Sequence, residues 1–260
     1  MKLSKVKYEV REKIAVIAMN SPQNLNAFDE QLIDELVCSL AAAEEDKRVK
    51  AVVLTSTGKA FSAGGDIGTM YKEIKKGTWD FKGAVKKMAQ VSLAIKKIEK
   101  PVIAAVRGAA AGAGFNVVLA CDYVVAAANA SFIQAFVNIG LIPDAGGMYL
   151  LTRALGVNKA VELAMTGRSV SAVEAKQLGF VAEVVNMEEF EKTVDKVAER
   201  FSLGPGISYA QMKRLVWESE FKDFENYIEK EIDGQMLCGA TEDFKEGVCA
   251  FVEKRRPVFK

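Results

Sequence analysis

The sequence predicts an α/β fold: a spiral or layered core of repeated strand–strand–helix units, followed by a C-terminal helical region. Three observations predict it. Short apolar runs, at 51–54 and 102–106, each lead through small residues towards a helix-like segment. Two further strand-like runs, 122–127 and 131–133, follow close together. From about residue 187 the chain turns charged and helical, with amphipathic stretches near 187–201, 206–219, 222–237 and 241–254.

In chain order, residues 4–10 and 13–19 alternate like two half-buried strands around a turn at Arg11-Glu12. Ser21-Pro22-Gln23-Asn24 is a loop signature. Residues 29–43 read as an amphipathic helix, capped by Asp29, with Leu32, Ile33, Leu36, Val37 and Leu40 on one face. An apolar helix is expected around 112–120 and another helix from about 144. Gly204-Pro205-Gly206 breaks the C-terminal stretch, but no Ser/Gly-rich linker separates it. A region 201–260 is therefore expected to pack against a 1–200 core or a neighbouring subunit. No repeat of fixed period is present.

Composition removes several function classes. The 260 residues include no histidine, which excludes Ser-His-Asp and Cys-His catalysis and His-ligated zinc. No metal site is expected. Acid–base chemistry must come from carboxylates, Lys, Tyr, Cys or backbone amides. Thirty-five basic against 34 acidic residues leave a net charge of +1, so nucleic acid is not an expected partner. Lys96-Lys97, Lys100 and Lys254-Arg255-Arg256 are the candidate basic clusters for such a role. Cys38, Cys121, Cys238 and Cys249 form no CxxC pair and read as reduced, buried thiols of a cytoplasmic protein. The segment MKLSKVKYEV lacks the apolar run of a signal peptide, and no stretch has the length of a membrane span.

Three small-residue segments can carry chemistry. Phe61-Ser62-Ala63-Gly64-Gly65-Asp66-Ile67 follows a strand and opens a helix, so its amides favour negative charge. On local grounds alone it reads first as a tight strand-to-helix turn with Asp66 as helix cap. The run from Val106 to Asn116 (VRGAAAGAGFN) also joins a strand to a helix; it is neither a dinucleotide fingerprint nor a P-loop. Close helix packing is its alternative reading. Together, two such turns can point two N–H donors at one oxygen, the layout of an oxyanion hole. The third segment is GLIPDAGGM, 140–148. Asp144 there is either the N-cap of the next helix or a carboxylate at the mouth of an apolar pocket. Desolvation would raise its pKa, as a general base for a carbon acid requires.

The ordered set NSPQNLNAF, FSAGGDI, AVRGAAAGAGFNVVLACD, GLIPDAGG, LTRALG and MTGRSVSAVEAKQLGFVAEVV, with TEDFKEGVCAFVEKRRPVF near the C-terminus, resembles the enoyl-CoA hydratase/isomerase (crotonase) superfamily over nearly the whole chain. The resemblance implies a spiral of ββα units, assembly as a homotrimer or a dimer of trimers, and an acyl-CoA substrate. Coenzyme A would arrive as part of that thioester, with no permanently bound cofactor. By motif match, the Gly65 and Ala113 N–H groups would hold the thioester oxygen. Leu25, Ala27 and Ala63 would lie along the CoA, with Gly64, Asp66 and Ile67 in the same turn. Lys254 matches a position that approaches the CoA phosphates, and Lys59 is a second candidate; both also suit a solvated surface.

The sequence departs from the hydratase pattern where water chemistry would occur. The two hydratase glutamates, in GGGCE and FGQPE, correspond here to Asn116 and Phe136. Neither is a base. Conversely, the hydratase turn IPGAGG carries no aspartate, whereas GLIPDAGG is similar to the ring-1,2-epoxyphenylacetyl-CoA isomerases, in which this aspartate is the acid/base. The expected reaction is a 3- to 2-enoyl shift, with Asp144 shuttling a proton and Asn116 donating to the substrate or to Asp144. Phe61, Met70, Trp79, Phe81, Phe136 and Met148 are candidates for the acyl pocket. The polar, Gly-punctuated stretch 68–83 is expected to form a mobile cover. The alternatives are a β-oxidation hydratase with displaced carboxylates, Asp66 or Glu73, and a CoA-thioester-binding protein without strong catalysis.

Overall fold

Alternating apolar residues close Val6–Arg11 (β1) and Ile14–Met19 (β2) into an antiparallel hairpin, with Val6 opposite Met19. Glu12 makes the turn in left-handed backbone, φ 53°. The structure, a computed structural model, describes residues 3–77 and 80–260. Helix α1 (Glu30–Glu45) starts where Asp29 caps it: the carboxylate accepts from the Leu32 N–H at 2.9 Å. Leu32, Ile33, Leu36 and Leu40 are its buried stripe.

The order then runs β3 (Ala51–Ser56), α2 (Ile67–Lys76), α3 (Phe81–Lys97), β4 (Val102–Val106), β5 (Ala109–Ala111), α4 (Ala113–Ala120), β6 (Tyr123–Ala127) and β7 (Ser131–Ile133). After a 3-10 turn at Ala135–Ile139 come α5 (Gly147–Leu155), α6 (Val157–Thr166), β8 (Ser169–Ser171), α7 (Ala172–Gln177) and β9 (Glu183–Val185). Four helices close the chain: α8 (Met187–Ser202), α9 (Gly206–Glu220), α10 (Phe224–Gly239) and α11 (Glu242–Glu253).

The main sheet has the order β1-β2-β3-β4-β6-β9, and from β2 onward each strand is parallel to the last. Strands are thus added in chain order, which winds the chain as a spiral. The second sheet, β5-β7-β8, collects the other strand of each unit: β5 follows β4 in the chain, and β7 follows β6. Ser62 joins it by a parallel bridge to Ala110. Strands covered on both faces need apolar residues on both. Val52, Leu54, Val102 and Ala104 face the large core with α1 and α3, while Ala51, Val53, Ile103 and Ala105 face Phe190, Val194 and Val197 of α8. The C-terminal helices fold back on this core, α10 against α3 and α11 against α2 and the 3-10 turn. Among the described residues no helix is long and apolar enough to cross a membrane.

Several expectations need correction. The stretch 68–83 is not a loop: α2 occupies most of it and α3 begins at Phe81. Each helix has its own start signal, Asp66 accepting from Thr69 N–H and Asp80 from Gly83 N–H, and Gly77 ends α2 in left-handed backbone. The helix expected from about 144 begins at Gly147. Elements α6, β8, α7 and β9 had no expectation. Of the four free cysteines, Cys121 is buried, Cys238 and Cys249 are half-buried, and Cys38 is exposed.

Glu35 anchors the N-terminal strand to α1. It is buried, and its Oε2 accepts from the N–H groups of Ser4 (2.9 Å), Lys5 (2.7 Å) and Val6 (2.9 Å). Burial pushes its carboxyl up, but donation from Lys5, Ser4, Val6 and Gln31 outweighs this and holds it below its ordinary value. A carboxylate lowered in the folded state stabilises fully above its unfolded pKa of about 4.3, and this contribution fades as pH falls. Glu35→Ala should destabilise the fold by about 2 kcal/mol at pH 7. The gap in urea midpoint between variant and wild type should shrink towards pH 4.

Candidate active site

The first two small-residue turns meet backbone to backbone. Phe28 N–H donates to Gly64 O at 2.7 Å and Asp66 N–H to Phe28 O at 3.0 Å, while Ser62 N–H donates to Ala109 O and Ala111 N–H to Ser62 O. Gly64 sits at φ 88°, and a Cβ there would come within 2.9 Å of Ala111 O and 3.5 Å of Gly112 Cα. Only glycine allows that approach. In this arrangement Gly65 N–H lies off the Phe28 ladder, and Ala113 N–H is the first of α4, beyond the reach of an intrahelical acceptor. Neither has an acceptor among the described residues.

Both turns border one cavity of about 760 Å³. Ala63, Gly64, Gly65, Asp66 and Ile67 line it from one turn and Gly112 and Ala113 from the other. Met70 and Glu73 of α2 and Phe81 of α3 line it too, as do Phe136 and Asp144. Helices therefore form the wall expected from a mobile loop. Asp66 serves as the α2 cap as well as a wall residue, and Glu73 pairs with Lys76 at 2.8 Å.

Asp144 enters this cavity through a sharp reversal. Ala145 (φ 55°) and Gly146 (φ 78°) are both left-handed, and α5 starts directly after them. Gly146 occupies the cap position, with no side-chain cap from the preceding segment. Asp144 does not cap the helix, because two left-handed residues separate it from the first turn. Its Oδ1 is buried and has no hydrogen-bond partner among the described residues. Burial pushes the carboxyl up to about 7, opposed only by its own backbone N–H.

Other expected residues lie elsewhere. Asn116 is fully buried behind the wall; its Nδ2 donates to the backbone carbonyl of Asp144 at 2.7 Å, and its Oδ1 accepts from Gln134 Nε2 at 2.7 Å. It thus meets Asp144, but at the main chain rather than the carboxyl. Leu25 is exposed in left-handed backbone, Ala27 is buried, and neither lines the cavity. Lys59 and Lys254 are exposed and outside the lining, Lys254 at the C-terminal cap of α11. Phe61 belongs to the core, Met148 packs beside it, and Trp79 lies outside the described residues.

Sequence reasoning missed Glu231 and Gln235. Glu231 is buried on α10; its Oε1 accepts from Gly146 N–H at 2.8 Å. Burial, reinforced by the neighbouring Asp144, pushes its carboxyl up to about 8 despite the Gly146 donor. Gln235, one turn later, donates from Nε2 to Ile142 O at 2.8 Å. A signal was present: Phe224, Ile228, Glu231 and Gln235 follow the 4-3-4 spacing of one helix face. Two polar residues on an otherwise apolar stripe mark a buried polar contact.

Comparison with known proteins identifies the family. The enoyl-CoA hydratase/isomerase family model matches residues 9–260. The trans-2-decenoyl-[acyl-carrier-protein] isomerase of Streptococcus mutans is 37% identical over 260 residues, covering 100% of this chain and 99% of that protein. The 1,2-epoxyphenylacetyl-CoA isomerase of Escherichia coli is 33% identical, with 96% of each chain covered. A crystal structure of an enoyl-CoA hydratase from Mycobacterium avium subsp. paratuberculosis superposes with a TM-score of 0.90 at 30% identity over 100% of both chains. The chain belongs to the enoyl-CoA hydratase/isomerase family and is an enzyme of the crotonase fold.

Proposed function

We propose that this enzyme moves the double bond of an enoyl-CoA from the 3- to the 2-position, with Asp144 as the proton shuttle. The observation that carries this reading is the Asp144 carboxyl: buried, unpartnered at Oδ1, and lining the same cavity as two unengaged backbone donors. Asp144 takes a proton from the α-carbon. The electron pair moves into the thioester carbonyl, whose oxygen accepts from Gly65 and Ala113 N–H. As the enolate collapses, the double bond forms between carbons 2 and 3, and protonated Asp144 returns the proton to carbon 4. Each well-placed donor contributes about 3–4 kcal/mol to the transition state. Asn116 and Phe136 cannot activate water, which favours isomerisation over hydration. Of the three similar proteins named, two are isomerases, one of an acyl-carrier-protein substrate and one of a CoA substrate, and the third is a hydratase.

In the same reading, residues 1–200 hold the acyl thioester and 201–260 serve assembly and active-site cover. The exposed Ile207, Met212, Leu215 and Val216 of α9 support a subunit contact, and the family likeness favours a homotrimer or dimer of trimers. Four free cysteines support a cytoplasmic location.

Conjugation of trans-3-hexenoyl-CoA, followed by ultraviolet absorbance, tests the reaction. Asp144→Asn should lower kcat/KM by about 10²–10⁴-fold. Equal rates in both proteins would remove Asp144 from the chemistry, and crotonyl-CoA hydration faster than isomerisation would favour Asp66 or Glu73 as a water base.

The pH profile has a definite sign. Asp144 must be ionised to accept the proton, so wild-type kcat/KM should rise with pH and level off above about 7. Below that it should fall about tenfold per pH unit. A profile flat from pH 5 to 8 would contradict a base in this environment.

A further inference from the structure

The Asp144 turn stands in a backbone conformation that needs support. A left-handed non-glycine residue, Ala145, is unfavourable by about 1–2 kcal/mol. Helix α5 also begins without a side-chain cap of its own. Support comes from remote side chains that hold alternate residues of the turn: Gln235 on Ile142 O, Asn116 on Asp144 O, and Glu231 on Gly146 N–H. Two of the three stand one turn apart on α10, 85 and 93 positions away in sequence from the residues they hold. Glu231 therefore acts as a cap supplied from a distant part of the chain, with a carboxyl oxygen accepting from the Gly146 N–H at the start of α5.

We propose that Glu231, with Gln235, is a positioning residue for the reaction: the pair on α10 holds the Ile142–Gly146 turn and thereby sets the direction in which the Asp144 carboxyl faces the cavity. This rests on the reading of Asp144 as the proton shuttle. Glu231 does not line the cavity, so its influence passes through the turn. A carboxyl displaced by about 1 Å loses on the order of 10²-fold in rate while substrate binding is little changed. The hydrogen bond from Gly146 needs an acceptor oxygen, and glutamine supplies one where alanine does not.

Steady-state isomerisation of trans-3-hexenoyl-CoA by Glu231→Ala, Glu231→Gln, Gln235→Ala and Asp144→Asn tests it. Expected is a fall in kcat of about 100-fold for Glu231→Ala with KM within about threefold, and recovery to within about fivefold of wild type for Glu231→Gln. Gln235→Ala should lose about tenfold in kcat, again with KM little changed. If Glu231→Ala does not fold, the kcat-against-KM split of Gln235→Ala decides alone. Wild-type kcat in Glu231→Ala beside an inactive Asp144→Asn would overturn the positioning role and leave the shuttle standing. Equal losses in Glu231→Ala and Glu231→Gln would overturn it too, since the acceptor would then not be what matters. An active Asp144→Asn would overturn the shuttle itself, and the positioning role with it.

Discussion

Contact between two bare stretches of backbone organises the site. Gly64 lies against Ala111 and Gly112 at distances that no side chain on Gly64 permits. That contact is held by the ladder bonds of Phe28 with Gly64 and Asp66 and of Ser62 with Ala109 and Ala111. Because the ladders use those groups, the Gly65 and Ala113 N–H groups are left over at the ends of the turns. The cavity then forms in front of them, closed by α2, α3 and the Phe136 turn. A spiral sheet suits this purpose. It delivers successive strand ends to the same side, so donors as far apart in sequence as Gly65 and Ala113 share one wall.

The acidic side of the site rests on a different principle. Glu35 is held low by three backbone donors. Asp144 and Glu231 are raised instead, because burial withholds water. The stability consequences have opposite signs. Glu35 supports the fold more as pH rises through the carboxylate range. Asp144 and Glu231 bind protons more tightly folded than unfolded, so their ionisation opposes folding at higher pH. A buried carboxyl at the cavity is kept at some expense of stability at higher pH, and its turn is tethered by Asn116, Glu231 and Gln235.

Reading the sequence succeeded where structure is local. The β1–β2 hairpin, the Asp29 cap, the buried strands and the C-terminal helices follow from period, capping residues and breakers within a few positions. It failed at 68–83, where lysines and glycines suggested a loop. The caps Asp66 and Asp80 and the stripe Ile67, Met70, Tyr71 and Ile74 were present, but short helices draw much of their stability from tertiary packing. The ordered motifs brought Gly65, Ala113, Phe136 and Asp144 to one cavity, while Lys59 and Lys254 did not join them.

Local residues were enough to exclude histidine chemistry, to find two donor turns and to single out Asp144. They left open whether Asp144 caps a helix or faces a cavity, since the same tetrapeptide suits both. The folded chain resolves this through two left-handed residues and through partners from positions 116, 231 and 235. Those partners reach the turn only after the sheet has wound and α10 has docked. A hydrogen bond between residues 85 positions apart leaves no periodic trace in sequence beyond a polar residue on an apolar face.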